Sequence, residues 1–286
     1  MDQVKLGDVS VTRVEDFVWT VGHDFLFPQL TAKDFAPHGE WMQPRFLTAH
    51  LEMHLAMQTF VVRTPHHTIL VDTCIGNGKE RPIDAMHMLD TDFLEKLAAQ
   101  GVRPEDVDYV FCTHFHSDHI GWNTRLSDGK WVPTFPKARY LFHRPEFEHY
   151  ANLSDENQPG SFRDSVLPVV EAGQADLVDG DHAIGDHLLL EPTPGHTAGH
   201  CSVRLSGGDR TAFITGDMLH TPAQIPEPQW VTQVCFDKPQ AIATRRAFND
   251  RYAGSDTLIL GTHFAAPTAF RIEGNASGFM PAFLGD

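Results

Sequence analysis

Short runs of β-branched and aromatic residues recur along the chain and alternate with polar turns. The first run, VSVTRVED, predicts a strand, and AMQTFVVRT and HTILVDT, joined by a short polar turn at residues 65–67, predict a β-hairpin. The runs DVDYVFCTH and ARYLFH predict two further strands. Four more follow later in the chain: HLLLEPTPG, CSVRLS, RTAFITGD and DTLILGTH, the last of which we expect to be the final strand.

Segments with helical periodicity separate these runs. TDFLEKLAAQG predicts a helix with Thr91 as its N-cap and Gly101 as its end, and KPQAIATRRAFNDRYA predicts the strongest helix, with Pro239 in its first turn. RPEFEHYAN predicts a short helix, and FRDSVLPVVEAG predicts a second one that Pro168 interrupts. Strands followed by helices, twice over, predict a layered α/β protein whose chemistry lies at strand ends.

Residues 15–50 show no clean periodicity of either kind. Large aromatic side chains are frequent in this segment: Trp19, Phe25, Phe27, Phe35, Trp41 and Phe46. We expect these rings to pack the segment down or to contact another subunit. The segment itself is predicted to form either a lid over a cleft or a subunit interface, which leaves a homodimer open. Because no repeat or linker-like composition is present, residues 1–286 are predicted to form a single domain.

The composition excludes several classes of function. The net charge of −16 argues against a nucleic-acid partner, because phosphate binding needs a basic surface, and it favours bound cations. No apolar run approaches the roughly 18 residues of a membrane span, and the first ten residues, MDQVKLGDVS, do not resemble a signal peptide. The four cysteines show no CxxC spacing, so we expect reduced thiols and a cytoplasmic location.

Candidate chemistry is concentrated in YVFCTHFHSDHIGWN, residues 109–123. His114, His116, Asp118 and His119 follow a β-rich run, at a spacing that suits a turn leaving a strand better than one face of a helix. Imidazole and carboxylate groups are ligands for zinc and neighbouring first-row metals. The HxHxDH pattern therefore predicts a metal site at the end of a strand.

Three later stretches repeat this local design. His196 stands in TPGHTAGHCSV, Asp217 in FITGDMLH and His263 in LILGTHFAAP. In each stretch an apolar, β-rich run stops at a small residue and a metal-type ligand follows. Together with HxHxDH, these stretches resemble the metallo-β-lactamase superfamily in residue type and in order, from about Gln58 to His263.

The resemblance implies a fold, a site and a cofactor. The implied fold is the α/β, four-layer αββα sandwich called the metallo-β-lactamase fold. The implied cofactor is two divalent metal ions, with zinc expected and manganese, iron and cobalt as alternatives. Seven side chains are implied as ligands: His114, His116 and His196 for the first ion, Asp118, His119 and His263 for the second, and Asp217 for both.

Other residues near these motifs receive expected roles. Asp72, in ILVDTCIG, resembles the family's strand-ending aspartate and is expected to orient a ligand from outside the metal shell. His200 cannot form a zincin pair with His196, because its glycine-rich surroundings disfavour a helix, so it too is expected to act outside the shell. Trp122 and Phe264 flank the motifs and are candidates for an apolar substrate pocket.

The ligand pattern favours one branch of the superfamily. His116 stands where diiron oxygen reductases carry Glu, and Asp217 is present where zinc β-lactamases usually lack a bridging Asp. The layout GDMLHTPAQIPEPQW and the long N-terminal segment resemble the organophosphate hydrolases of this fold. The resemblance therefore implies a lactonase or methyl-parathion-hydrolase-like enzyme whose substrate is a small-molecule lactone or hydrophobic carboxylic ester.

The implied reaction uses a hydroxide shared by two divalent metal ions about 3.5–4 Å apart. Asp118, Asp217 and His220 are the expected catalytic side chains, and His220 is also a candidate for contact with substrate. Two other functions stay open, namely hydrolysis of phosphotriesters by the same site and oxidation of a thiol at a single iron ion.

Overall fold

A computed structural model describes residues 3–275 and 278–284 of the chain. Within these residues the strands form two seven-stranded sheets and one two-stranded sheet. In chain order the strands are β1 Gln3–Leu6, β2 Val9–Gly22, β3 Glu52–Arg63, β4 Thr68–Val71, β5 Tyr109–Cys112, β6 Thr124–Ser127, β7 Lys130–Pro133, β8 Arg139–His143, β9 Ala175–Val178, β10 Ala183–Ile184, β11 Leu188–Pro192, β12 Cys201–Gly207, β13 Arg210–Ile214, β14 Leu258–Leu260, β15 Ala269–Asn275 and β16 Gly278–Phe283.

Most of the helices are short. They are α1 His23–Leu26, α2 Ala32–Phe35, α3 Gly39–Met42, α4 Phe93–Ala99, α5 Ser117–Ile120, α6 Arg144–Ala151, α7 Gly160–Ser165, α8 Leu167–Glu171 and α9 Lys238–Tyr252. Single 3-10 turns lie at Asp84–Met86, Pro104–Asp106, Gly121–Asn123, Gly216–Met218 and Pro222–Gln224. The predicted break in FRDSVLPVVEAG is confirmed, because α7 and α8 are separate and Pro168 lies in the first turn of α8.

The first large sheet has the strand order β1-β2-β3-β4-β5-β8-β9. β3 and β4 pair antiparallel, which confirms the predicted hairpin, and β4, β5, β8 and β9 run parallel to one another. The carboxyl ends of parallel strands meet at one edge of a sheet, so the segments that leave β4, β5 and β8 are neighbours. This edge positions the HxHxDH motif.

The second large sheet has the order β10-β11-β12-β13-β14-β15-β16. Its neighbouring strands pair antiparallel, except that β13 and β14 are parallel. The segments that follow β13 and β14 therefore leave the same edge, one carrying Asp217 and the other His263.

The chain divides into two compact units. One holds Met57–His182 and the described residues up to Phe17, and the other holds Val18–Ala56 and the described residues from Ala183 onward. The core of the first unit is apolar and fully enclosed, with Val110, Phe115 and Phe142 among its members and with Phe93 and Leu97 of α4 packed against them. The single domain predicted from the sequence stays a prediction.

Three local predictions need correction. DTLILGTH is not the final strand, because β15 and β16 follow it and extend the same sheet. The N-cap of α4 is Asp92 rather than Thr91, because the N–H and hydroxyl of Thr91 are bonded to Oδ1 of Asn77. The segment 15–50 is not irregular throughout, since β2 continues to Gly22 before the short helices begin.

Aromatic packing holds the rest of that segment in place. Phe27 and Phe35 are buried and lie with their ring centroids 6.1 and 4.8 Å from that of Trp230. Phe46 is also buried and lies 6.1 Å from Phe264. Packing is thus confirmed for these rings, and the role of the segment as lid or interface stays a prediction. Among the described residues, no helix is both long enough and apolar enough to cross a membrane.

Candidate metal centre

The first cluster of candidate ligands lies in the loop that leaves β5 and in helix α5. Asp72, directly after β4, organises this loop. Its Oδ1 accepts the backbone N–H of Thr113 at 2.8 Å, and its Oδ2 lies 3.0 Å from Nδ1 of His119. The sequence predicted that Asp72 orients a ligand, and the fold places it against a candidate ligand.

Three imidazole rings crowd together in this cluster. The ring centroid of His114 lies 4.6 Å from that of His116 and 4.0 Å from that of His119. The ligand atoms of His114 and His116 lie within 4.8 Å of each other, as do those of Asp118 and His119. His114 and His119 are buried, whereas His116 and Asp118 are half-buried. Several imidazole and carboxylate groups that lie this close together suit a bound ion.

The glycine of this motif is required by a close approach of two loops. A Cβ at Gly121 would lie 1.7 Å from the carbonyl oxygen of Ile75. The N–H of Gly121 donates to the carbonyl oxygen of Cys74 at 2.7 Å. The absence of a side chain therefore lets the loop after β4, which carries Asp72, lie directly against the turn that carries His119.

The second cluster of candidate ligands lies in segments that follow β11, β13 and β14. His196 comes after Gly195, whose φ is +128°, and a Cβ at Gly195 would lie 2.3 Å from the backbone nitrogen of Ala241. Only glycine allows this loop to lie on the first turn of α9. His196 is buried, and its Nε2 lies 3.3 Å from Oδ2 of Asp217.

Asp217 lies among three imidazole rings. Its Oδ2 is 3.3 Å from Nε2 of His196 and 3.3 Å from Nε2 of His220, and its Oδ1 is 3.0 Å from Nε2 of His263. The two carboxylate oxygens thus face different candidate ligands. A carboxylate in this arrangement can serve two ions at once.

The ring of His263 is fixed by the first residues of β3. Its Nδ1 donates to the carbonyl oxygen of Ala56 at 3.0 Å, and its own carbonyl oxygen accepts the N–H of Ala56 at 2.9 Å. The next pair, Leu55 and Phe264, forms an isolated antiparallel bridge. These contacts direct Nε2 of His263 at Asp217.

His200 holds the backbone of Asp217 in place. Its Nε2 accepts the N–H of Asp217 at 2.9 Å, so Nδ1 carries the proton of the neutral ring. Nδ1 lies 2.8 Å from Oγ1 of Thr193 and 3.1 Å from the carbonyl oxygen of the same residue. The predicted role of His200 outside the metal shell stays a prediction.

His220 is buried beside the same carboxylate. Burial lowers the pKa of His220, and the negative charge of Asp217 opposes that shift. Its ring stacks on that of His263 with a centroid distance of 5.8 Å. His220 is therefore a neutral imidazole near pH 7, which makes it a weak proton donor.

Two residues beside the candidate ligands were not identified from the sequence. Oε1 of Glu146, on α6, accepts the N–H of Phe115 at 2.9 Å and so fixes the backbone between His114 and His116. The thiol of Cys235 lies 3.6 Å from Nδ1 of His196. Only an indirect feature of the sequence pointed to Glu146, namely its place in a helix predicted to follow a strand. A helix that follows a parallel strand lies beside the loop that leaves the neighbouring strand.

The two predicted pocket residues have packing contacts of their own. Trp122 is buried and stacks on Phe93 with a centroid distance of 5.6 Å. It also lines a cavity of about 470 Å³ whose wall includes Met88 and Leu126. Phe264 is buried and stacks on Phe270 at 5.5 Å. Contact of either ring with a substrate stays a prediction.

The chain matches the family model of the metallo-beta-lactamase superfamily over residues 58–260. The chain belongs to the metallo-β-lactamase superfamily. The match begins in β3 and ends with β14, and it therefore contains six of the seven predicted ligands, with His263 just beyond it.

Relatives within the superfamily include hydrolases and lactonases. Probable metallo-hydrolases of Mycobacterium bovis and Mycobacterium tuberculosis are each 28% identical to the chain over 189 residues, which cover 58% of this chain and 57% of theirs. The chain thus spans little more than half the length of these two relatives. An N-acyl homoserine lactonase of Bacillus cereus is 25% identical over 186 residues, which cover 59% of this chain and 68% of that protein.

Solved structures share the fold over almost the whole chain. AidC, described as a dizinc quorum-quenching lactonase, superposes with a TM-score of 0.78 at 21% identity, covering 98% of this chain and 95% of its own. The hydrolase AbOPH superposes with a TM-score of 0.80 at 21% identity, covering 98% of this chain and 96% of its own. The predicted α/β metallo-β-lactamase fold is confirmed, and the two large sheets are those expected of it.

The side chains of this superfamily member suit divalent metal ions. Four candidate ligands have Nδ1 facing a protein group: His114 faces Oγ1 of Thr113, His119 faces Asp72, His196 faces Cys235 and His263 faces Ala56. An imidazole held through Nδ1 presents Nε2 as a ligand. Imidazole and carboxylate donors suit zinc and other first-row metals. The family and this donor set together support the predicted metal-binding hydrolase.

Proposed function

We propose that this protein is a metal-dependent hydrolase of lactones or hydrophobic carboxylic esters. The observation that carries the proposal is the position of Asp217, whose two carboxylate oxygens face the Nε2 atoms of His196 and His263 at 3.3 and 3.0 Å. A carboxylate that faces two separate imidazoles suits a bridge between two ions. Lactonases among the relatives and structural neighbours support the substrate class.

The residues would divide between two ions as the family pattern implies. His114, His116 and His196 would hold the first ion, Asp118, His119 and His263 would hold the second, and Asp217 would hold both. When bound, two such ions supply an activated water and electrophilic stabilisation of a substrate oxygen. Zinc is the metal expected from the donor set.

The side chains near the candidate site favour substrates whose leaving group can depart without being protonated. A leaving alkoxide or phenoxide requires no proton before the bond breaks, whereas an amide nitrogen does. Burial lowers the pKa of His220, so its neutral ring is a weak acid, and Asp118 is proposed as a ligand. Lactones and activated esters should therefore react faster than amides or β-lactams.

An exposed apolar loop supports a hydrophobic substrate. Val234 and Phe236 are 42% and 65% exposed, and Phe236 is the most exposed of the large apolar side chains described. The N–H of Phe236 donates to the carbonyl oxygen of His196 at 2.9 Å, so this loop is bonded to a candidate ligand. An apolar surface of this kind could receive the acyl part of an ester or lactone.

A substrate panel on metal-reconstituted protein tests the proposal. The values of kcat/KM for a δ-lactone, an aryl ester, a phosphotriester and a cephalosporin are compared. The lactone or the ester is expected to give the highest value. A cephalosporin that exceeds both would refute the proposal, and a phosphotriester that exceeds both would replace it with organophosphate hydrolysis.

Metal analysis and one variant complete this test. About two zinc-like ions per chain are expected, whereas one iron ion would favour the thiol-oxidising alternative. Asp217→Ala should lower both the bound metal and the rate. Full metal content and full turnover in that variant would show that Asp217 is not a ligand.

A further inference from the structure

Three successive residues of the loop that contains Cys235 are bonded to His196 or to its neighbour Gly195. The thiol sulfur of Cys235 lies 3.6 Å from Nδ1 of His196. The N–H of Phe236 donates to the carbonyl oxygen of His196 at 2.9 Å, and the N–H of Asp237 donates to that of Gly195 at 2.9 Å. Both backbone and side chain of His196 are therefore in contact with this one loop.

The hydrogen bonds of this thiol are consistent with a sulfur that accepts from His196. Cys235 and His196 are both buried, so water does not replace their contact. Sγ of Cys235 also lies 3.2 Å from Oγ1 of Thr232, which can accept the thiol proton. The guanidinium of Arg245 also approaches this sulfur, which has two lone pairs, so the second lone pair is available to a proton on Nδ1 of His196.

The proton on Nδ1 of His196 determines whether Nε2, the other ring nitrogen, can bind a metal ion. Nε2 of His196 lies 3.3 Å from Oδ2 of Asp217, on the side where a metal ion is proposed. A neutral imidazole binds a metal through the nitrogen that lacks a proton, so the proton must be on Nδ1. Carboxylates and backbone carbonyls are the usual partners of that proton.

We propose that Cys235 is a positioning residue for His196, and that its thiol accepts the Nδ1 proton and fixes the tautomer and orientation of this ligand. The inference rests on the proposed function, in which His196 binds a metal ion. Asp72 and the carbonyl oxygen of Ala56 act in the same way on His119 and His263. The thiol of Cys235 thus faces Nδ1 of His196 in the way that an oxygen acceptor faces Nδ1 of His119 and of His263.

Metal affinity of the apoprotein tests this role without any substrate. Zinc is titrated into metal-free protein in competition with a chromophoric chelator. Cys235→Val keeps a buried side chain of similar size but removes the acceptor, and it should weaken zinc binding about 10–100-fold. Cys235→Ser restores an acceptor and should recover most of the affinity. The matched control is Cys201→Ala, a buried cysteine of β12 in the same unit, which should bind zinc like the unmodified protein.

The tautomer of His196 gives a second readout on the apoprotein. Nitrogen-15 spectra of the histidine side chains should show His196 protonated on Nδ1 in the unmodified protein and in Cys235→Ser, and a mixture of tautomers in Cys235→Val. The role is overturned if Cys235→Val keeps both the zinc affinity and the tautomer, or if Cys201→Ala loses as much affinity. Failure of lactone or ester hydrolysis would instead count against the proposed function alone, because neither readout uses a substrate.

Discussion

Asp16 is a carboxyl group that the fold removes from water. It is 3% exposed, and burial raises its pKa from 3.8 to about 6, although Thr91 and Lys96 oppose the shift. The folded state therefore binds more protons than the unfolded state between these two values. The free energy of unfolding falls as the pH rises through that window, and the loss is complete above about pH 6.

Asp16→Asn should therefore stabilise the protein at pH 7.5. Removing a buried charge whose pKa is raised to about 6 should increase the free energy of unfolding by about 1–3 kcal/mol, with a smaller gain near pH 4.5. Urea unfolding at both pH values measures the difference. The control is Asp181→Asn at an exposed position, which should change the free energy by less than about 0.5 kcal/mol. An equal gain at both pH values would contradict the burial of a charge as the cause.

The loop of residues 231–237 is bonded at one end to the N-terminal segment and at the other to the candidate ligand His196. Gln233 and Gln29 bond it to the N-terminal segment, through the carbonyl oxygens of Leu26 and Val231 respectively. Bonds to Gly195 and His196 hold its other end. Because its ends are fixed, the backbone of Phe236 is held next to that of His196.

Phe236→Ala should reduce activity on long acyl chains more than on short ones. Loss of an aromatic contact with an apolar chain should lower kcat/KM for octanoyl esters about tenfold, and acetyl esters should be little affected. Rates on a series of p-nitrophenyl esters measure the effect. The control is Leu126→Ala, which removes a side chain that is 56% exposed on β6 in the other unit. Equal losses on acetyl and octanoyl esters would argue against recognition of the acyl chain.

The molecule as a whole is acidic, and both clusters of candidate ligands contain a carboxylate. The net charge is −16, and Asp118 and Asp217 each lie among histidines that are neutral near pH 7 when they bind metal. An ion that binds the folded state but not the unfolded chain stabilises the fold by mass action. Metal content and stability should therefore be linked.

Chelation of the metal should lower the melting temperature, and zinc or manganese should restore it. The stabilisation is expected to be about 3–4 kcal/mol when the free ion is at 100 to 1,000 times its Kd. Differential scanning calorimetry with and without EDTA measures the shift. Asp217→Asn should show a much smaller shift, whereas Asp181→Asn should behave like the unmodified protein. An unchanged melting temperature after verified metal loss would show that metal binding is not coupled to stability.

Most of the strands and the candidate ligands could be predicted from the sequence, because each of these features is a local pattern. The fold class followed from the resemblance of the ligand motifs to a known superfamily. A strand is apparent as a short apolar run, and HxHxDH, Asp217 and His263 each stand directly after such a run.

The groups that surround those candidate ligands are apparent only in the folded chain. Glu146, Ala56 and Cys235 contact the motif residues from positions 31, 207 and 39 residues away along the chain. The strands β15 and β16 were missed because their stability depends on pairing with each other and with β14, and not on a strong local pattern. Contacts of this kind depend on which strands are neighbours in the sheet. No local pattern of residues specifies the order of the strands.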